Sequence, residues 1–141
     1  MSNYKKSTVG FHGKFCAEYD NKFCTWSIQR LVEHAKDHEV KEQSLSSLDQ
    51  YLKVNAWFHG EKNPTLEAIL SHYDRAMKSD LKYPIIICDG LGVVDGLHRL
   101  MKAHITNALY IKVIFLRHMP EPDNIEDFDE KAITSQSTQT N

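Results

Sequence analysis

Long apolar stretches, an even set of cysteines and an excess of positive charge are all missing from this chain of 141 residues. No segment approaches the roughly 20 apolar residues of a membrane helix, and no apolar export signal follows the polar first residues, so we expect a cytoplasmic protein without membrane contact. The three cysteines favour reduced thiols over a disulfide framework. A net charge of −2 argues against a protein that coats nucleic acid.

Familiar nucleotide, hydrolase and zinc motifs are missing as well. The sequence has no Gly-x-x-x-x-Gly-Lys-Ser/Thr loop and no Gly-x-Ser-x-Gly elbow, which excludes Walker-type hydrolysis and serine hydrolase chemistry. Zinc is considered because His34 and His38 lie four residues apart and follow Cys16 and Cys24. The two cysteines are farther apart than the usual spacing of about two to four residues, so we expect no metal site.

The composition favours one folded unit. A content of 41% hydrophobic and 10% aromatic residues supports one core, and the length fits one domain. We predict an α/β (α+β-like) compact domain with a small mixed sheet over residues 25–119. Residues 1–24 are predicted to be irregular with a short strand, and residues 120–141 form an acidic, polar tail that is predicted to be loose.

Three segments have the apolar spacing of amphipathic helices: 26–38, 64–78 and one from Asp95 to Asn107. Asn107 can take the left-handed conformation that ends a helix. In the second, Asn63 is the predicted cap and Pro64 the first helical residue. His72 lies on the flank of its apolar stripe, where core meets surface, and Arg75 points away. That stripe, predicted to be buried, consists of Leu66, Ile69, Leu70, Tyr73 and Met77.

Strands are predicted at 84–88, at 93–94 and at 110–116, with Cys88 as a small core residue. A short strand is predicted at 40–45, followed by a brief helix capped by Ser46 or Ser47. The turn between the strand at 93–94 and the helix that follows it is the most informative segment of the chain.

That turn reads Asp95-Gly96-Leu97-His98-Arg99 and begins a helix. The first N–H groups of a helix have no intrahelical acceptor and carry partial positive charge, so they can receive a phosphate. We assign phosphate binding to Gly96, Leu97, His98 and Arg99, with Arg99 as a bidentate clamp. His98 and Asp95 are the candidate catalytic residues.

Structural alternatives accompany these roles. Asp95 is a candidate for the helix cap, and Gly96 is required either by backbone geometry or by the approach of a ligand. His98 and Arg99, placed at the positive end of a helix, need either an anion or an acidic neighbour. His72 is interpreted as a hydrogen-bonded edge histidine or as a catalytic base.

Two aromatic residues and one carboxylate complete the candidate cleft. Trp57 and Phe58 are interpreted as core or lid residues, with a nucleobase platform as the alternative. Glu67, in the first turn of the second predicted helix, is the candidate cleft carboxylate beside Trp57 and His72.

Residues 83–116, centred on Val94 to Leu100, resemble the ParB/sulfiredoxin-like superfamily, in which a strand leads through a Gly-His-Arg type turn into a phosphate-binding helix. Residues 26–123 look closest to a small bacterial ParB-like branch. The features shared with that branch are Trp57-Phe58, Pro64-Thr65, His72, Asp80-Leu81, Tyr83-Pro84 and the ending Pro120-Glu121-Pro122-Asp123.

The resemblance implies a nucleotide ligand, ATP, ADP or CTP, with Mg²⁺, and phosphoryl transfer or nucleotide hydrolysis. Leu97 stands where sulfiredoxin has its reactive cysteine, which excludes that reductase chemistry. No helix-turn-helix pattern follows, so direct DNA binding is not expected. A family member that phosphorylates serine uses an acidic residue, for which Glu61 or Glu67 is the candidate. The alternative is a non-catalytic interaction module of partitioning or defence systems, and homodimerisation is left open.

Overall fold

A computed structural model describes residues 13–54, 56–58 and 63–126. Within them lie seven strands, three α-helices and one 3₁₀ helix. The helices are α1 (Ile28–Ala35), α2 (Leu66–Lys78), α3 (Leu97–Ile105) and the 3₁₀ helix (Leu45–Lys53). The strands are β1 (Lys14–Tyr19), β2 (Lys22–Ser27), β3 (Lys41–Ser44), β4 (Ile85–Cys88), β5 (Gly92–Asp95), β6 (Tyr110–Leu116) and β7 (Asn124–Glu126).

The central sheet has four strands in the order β3-β6-β4-β5. Strands β4 and β6 are parallel and are joined through β5 and α3, whereas the other two pairings are antiparallel. All four residues of β4 are buried, because this strand is covered on both faces. The predicted α/β domain with a small mixed sheet is therefore confirmed.

Each face of the central sheet has its own hydrophobic cluster. On one face, Ile86 and Cys88 pack with α1 and with Trp26 of β2. On the other face, Ile85 and Ile87 pack with Leu100 of α3 and with the 3₁₀ helix. Alternate residues of β4 point to opposite faces, so one short strand serves both clusters.

The second sheet, β1-β2-β7, lies where the sequence predicts irregular chain and a loose tail. Strands β1 and β2 form a hairpin whose two turn residues, Asp20 and Asn21, have φ of 56° and 63°. Such a turn matches the twist of paired strands and suits Asp and Asn. Asp123 then accepts the Ser27 backbone N–H at 2.5 Å and pairs with Arg30, so β7 is attached to β2.

Helix boundaries differ modestly from the prediction. Helix α2 begins two residues late, because Thr65 rather than Asn63 caps it through a 3.1 Å bond from the Ala68 N–H. The 3₁₀ helix is capped by Ser44 instead of Ser46 or Ser47. Asn107 has the expected left-handed conformation, with φ of 58°, just after α3.

The orientation of α2 was predicted wrongly. Its buried residues are His72 and Ala76, while four members of the predicted buried stripe are exposed. The exposed four are Leu66, Ile69, Leu70 and Tyr73, at 73%, 44%, 57% and 43%. The inward face is polar because it meets the first turn of α3, where the candidate site lies.

None of the helices in the described part of the chain has the length and apolar character that crossing a membrane requires.

Candidate functional site

The site begins at Gly96, which starts α3 in the left-handed conformation with φ of 107°. A Cβ atom at this position would lie 2.6 Å from Ile85 Cγ2, far inside van der Waals contact. Both the left-handed backbone and the contact with Ile85 therefore require glycine. Of the two explanations offered for Gly96, backbone geometry is sufficient without a ligand. Gly96, and not Asp95, is the N-cap of α3, and no side chain among the described residues caps this helix.

Asp95 instead forms an ion pair with Arg99. Its Oδ2 accepts a 2.9 Å hydrogen bond from Arg99 Nη2, and both side chains are only 13% exposed. Burial raises the pKa of Asp95, and the guanidinium of Arg99 opposes that rise. Arg99 is therefore largely buried and has an acidic neighbour at one of its terminal nitrogens.

Two imidazoles meet beside this turn. His72 Nδ1 and His98 Nε2 are 2.8 Å apart, and the two rings are nearly parallel, with 12° between their planes. The contact joins α2 to the first turn of α3 across 26 positions of sequence. His72, at 8% exposed, is a buried and hydrogen-bonded histidine.

Trp57 covers the imidazole pair. Its ring centroid lies 4.1 Å from that of His72 and 4.5 Å from that of His98, with interplanar angles of 10° and 13°. Phe58 meets His72 edge-on at 5.7 Å. Trp57 has φ of 68°, a conformation uncommon for a large side chain. The indole acts as a lid over the hydrogen bond between the two histidines, in agreement with the interpretation as core or lid.

The lid explains the electrostatics of His98. Burial is the main cause that lowers the pKa of His98 to about 3, and the charges of Arg75, His72 and Arg99 contribute. The ring is therefore neutral near pH 7. Because His98 Nε2 lies 2.8 Å from His72 Nδ1, one of these ring nitrogens donates the shared proton and the other accepts it.

The structure brings together most, but not all, of the predicted site residues. Trp57, His72, His98 and the Asp95–Arg99 pair form one cluster. Glu67 is exposed in the first turn of α2, and no contact among the described residues joins it to the imidazole pair. Glu61 lies outside the described residues.

Arg75 is the residue that sequence reasoning missed. It was predicted to point away, yet its charge acts on His98. Arg75 lies three residues after His72, a spacing that puts both on one helix face. The spacing of His72 and Arg75 was therefore visible in the sequence. It was not used, because the wrong face of the helix was predicted to be buried.

The three cysteines lie outside this cluster. The three cysteines are free, and Cys88 is buried in the core, where burial raises the pKa of its thiol. The exposed Cys16 contacts Thr25 within the small sheet. Among the described residues, no group of three or more His, Cys, Asp or Glu is arranged to hold a metal ion.

Comparisons with known proteins leave the family open: no protein-family model matches the chain, and no curated protein or solved structure matches it. The ParB/sulfiredoxin-like resemblance therefore stays a prediction.

Proposed function

We propose that the first turn of α3 and the adjoining imidazole pair bind a nucleotide or another phosphate-bearing ligand. The observation that supports this most is the uncapped start of α3. A glycine N-cap offers no side-chain oxygen to the first-turn N–H groups, so a phosphate can serve as their acceptor. Gly96 has no side chain to cover these N–H groups, and His98 lies in the same turn.

Arg99 has a conditional role in this proposal. Its Nη2 is paired with Asp95, so a phosphate must share the guanidinium with that carboxylate or displace it. Sharing is feasible because a guanidinium has five N–H donors. The pair keeps Arg99 in a fixed position before the ligand arrives, which lowers the ordering cost of binding.

The chemistry proposed for a bound nucleotide is phosphoryl transfer or hydrolysis with Mg²⁺, the class implied by the family resemblance. His98 would contact the phosphate, and its hydrogen bond with His72 would hold the ring in position. Arg99 and the helix N–H groups would stabilise the negative charge that develops.

The second candidate is a binding module without chemistry, with a role in partitioning or defence. The ion pair favours this candidate, because Arg99 already neutralises Asp95, the carboxylate nearest to the proposed phosphate. Turnover of ATP, ADP or CTP with Mg²⁺ separates the two: binding with release of product supports the enzyme, and binding without product supports the module.

Binding itself is tested by isothermal titration calorimetry of ATP, ADP and CTP, with Trp57 emission as a second signal. Arg99→Ala should weaken binding by about tenfold or more, since a charge-assisted hydrogen bond contributes about 1.5–3 kcal/mol. Asp95→Asn should strengthen binding severalfold, because it removes the negative charge that competes with the phosphate for Arg99 and leaves only a weaker neutral acceptor.

Lys78→Gln is the matched control, since it also removes one positive charge but from an exposed surface pair with Asp74. It should bind as the wild type does. Equal binding by wild type and Arg99→Ala, or no binding of any nucleotide by the wild type, contradicts the proposal.

A further inference from the structure

A cavity lies away from the imidazole pair, between the C-terminal end of α1 and the chain that follows β6. Its volume is about 440 Å³. None of the residues that line it belongs to the site at the first turn of α3. The cavity is lined by His34, His38, Phe115, Arg117, His118 and Met119.

The walls of this cavity are held in place by the fold. His34 and His38 are four residues apart, and their ring centroids are 5.4 Å apart. On the other wall, the Met119 N–H donates to the Tyr19 hydroxyl at 3.2 Å, and Met119 is buried. One residue later, the Pro120 carbonyl accepts a 2.7 Å hydrogen bond from Trp26. The lining side chains are therefore presented by anchored backbone.

The charge of the lining has one sign. Arg117 is permanently cationic, three imidazoles can donate hydrogen bonds, and no lining residue carries a carboxylate. Glu33, on the same helix, is paired with Lys36 instead. A cation is disfavoured, both because Arg117 repels it and because no ligand set for a metal is present among the described residues.

The shape of the cavity indicates what kind of anion fits. Its volume falls within the range of small-molecule sites, about 300–1,000 Å³, which exceeds the need of a bare inorganic ion. Phe115 and Met119 supply an aromatic and an apolar wall. A phosphate monoester has three terminal oxygens and more negative charge than a carboxylate, so it can engage more of the four nitrogen-bearing side chains.

We propose that this cavity binds a small organic phosphate, with the phosphate between Arg117 and the histidines and the carbon part against Phe115. This site is separate from the first turn of α3 and does not depend on the function proposed there. A ligand could occupy either site without the other.

Phenyl phosphate is the probe for this proposal, and NMR of the histidine side chains is the measurement. The imidazole signals of His34, His38 and His118 should shift together and saturably. Inorganic phosphate and benzoate should each bind at least severalfold more weakly, because each lacks one half of the ligand.

Arg117→Gln should raise the dissociation constant of phenyl phosphate about tenfold or more, and His38→Gln should raise it severalfold. Lys112→Gln is the matched control, because it removes an exposed positive charge from β6 outside the cavity. It should leave the dissociation constant unchanged.

Three results would overturn this assignment: shifts that do not saturate, equal binding by Arg117→Gln and wild type, or shifts confined to His72 and His98. The last result would mean that the probe binds at the first site. The Arg99→Ala variant checks this, because it should keep its response at His34, His38 and His118 unchanged.

Discussion

A single indole ring defines the electrostatic character of the first site. Trp57 lies flat against both His72 and His98, and burial is the main cause of the low pKa of His98. A group with a pKa of about 3 is uncharged near pH 7 and is only a weak base there. The lid therefore favours hydrogen bonding over charge pairing at His98.

The low pKa of His98 predicts a pH dependence of stability. Below about pH 6.5 the unfolded chain takes up a proton at His98, while the folded protein stays neutral there until about pH 3. Because the unfolded state binds more protons in this window, stability rises with pH from about 3 to 6.5 and is level above it. From pH 7 to pH 5 the folded state should lose about 2 kcal/mol through this group.

Urea unfolding at both pH values measures this loss in wild type and in His98→Gln, which does not titrate. The other seven histidines are common to both proteins, so the difference in slope reports His98. Identical pH slopes in the two proteins would show that His98 is not held neutral by its surroundings.

At the scale of the element, α2 has two faces with unexpected characters. The inward face carries His72 and Ala76, and the outward face carries most of the apolar stripe. Apolar periodicity locates a helix but does not say which face meets the core of its own chain. The polar inward face is explained by its neighbour, the first turn of α3.

This orientation predicts an inverted response to substitution. Leu70→Gln should change the free energy of unfolding by no more than about 0.5 kcal/mol, as expected for an exposed position. Ala76→Leu should cost about 1–3 kcal/mol, because it forces extra volume into a fully buried position. Urea unfolding of the two variants is the measurement, and a larger cost for Leu70→Gln would contradict the orientation.

Features set by the local sequence were predicted more successfully than contacts between distant parts of the chain. The strand Tyr110–Leu116 and the left-handed Asn107 follow from short-range pattern and were predicted. The hairpin turn at Asp20 and Asn21 also carried a local signal, which was overlooked. The pairing of His72 with His98 depends on how two helices pack, and neither residue reveals its partner in one sequence.

The same limit applies to Arg99. Its type and place at a helix start predicted a charge-binding role, and Asp95 four residues earlier made a pair geometrically available. Whether the guanidinium turns toward that carboxylate or toward solvent is decided by the packing of α3, which leaves both side chains only 13% exposed. That information comes only with the fold.

At the scale of the whole molecule, Asp123, the residue before β7, connects this part of the chain to the end of β2 and to α1. Its carboxylate accepts from the Ser27 N–H and pairs with Arg30, and the backbone hydrogen bond is the first cause that lowers the pKa of Asp123. Ser27 also caps α1, so a single carboxylate touches a strand end and a helix start.

Asp123→Ala should therefore loosen the junction of β2, β7 and α1. We expect faster hydrogen exchange of the Ser27 amide in this variant, measured by NMR, with the exchange of β4 amides unchanged. Lowering the pH should also speed the exchange of the Ser27 amide in the wild type. The pKa of Asp123 is lowered in the folded state, so the stabilisation from its carboxylate is lost as the pH falls through that pKa. Unaltered Ser27 exchange would show that Asp123 does not hold this junction.

The two-sided character of α2 has a consequence for regulation. Ile69 and Tyr73 are exposed on α2, the same helix whose inward face carries His72. A partner that binds the outward face and tilts the helix would therefore also change the hydrogen bond between His72 and His98. By thermodynamic reciprocity, occupancy of the inner site would then change the affinity for that partner by the same factor.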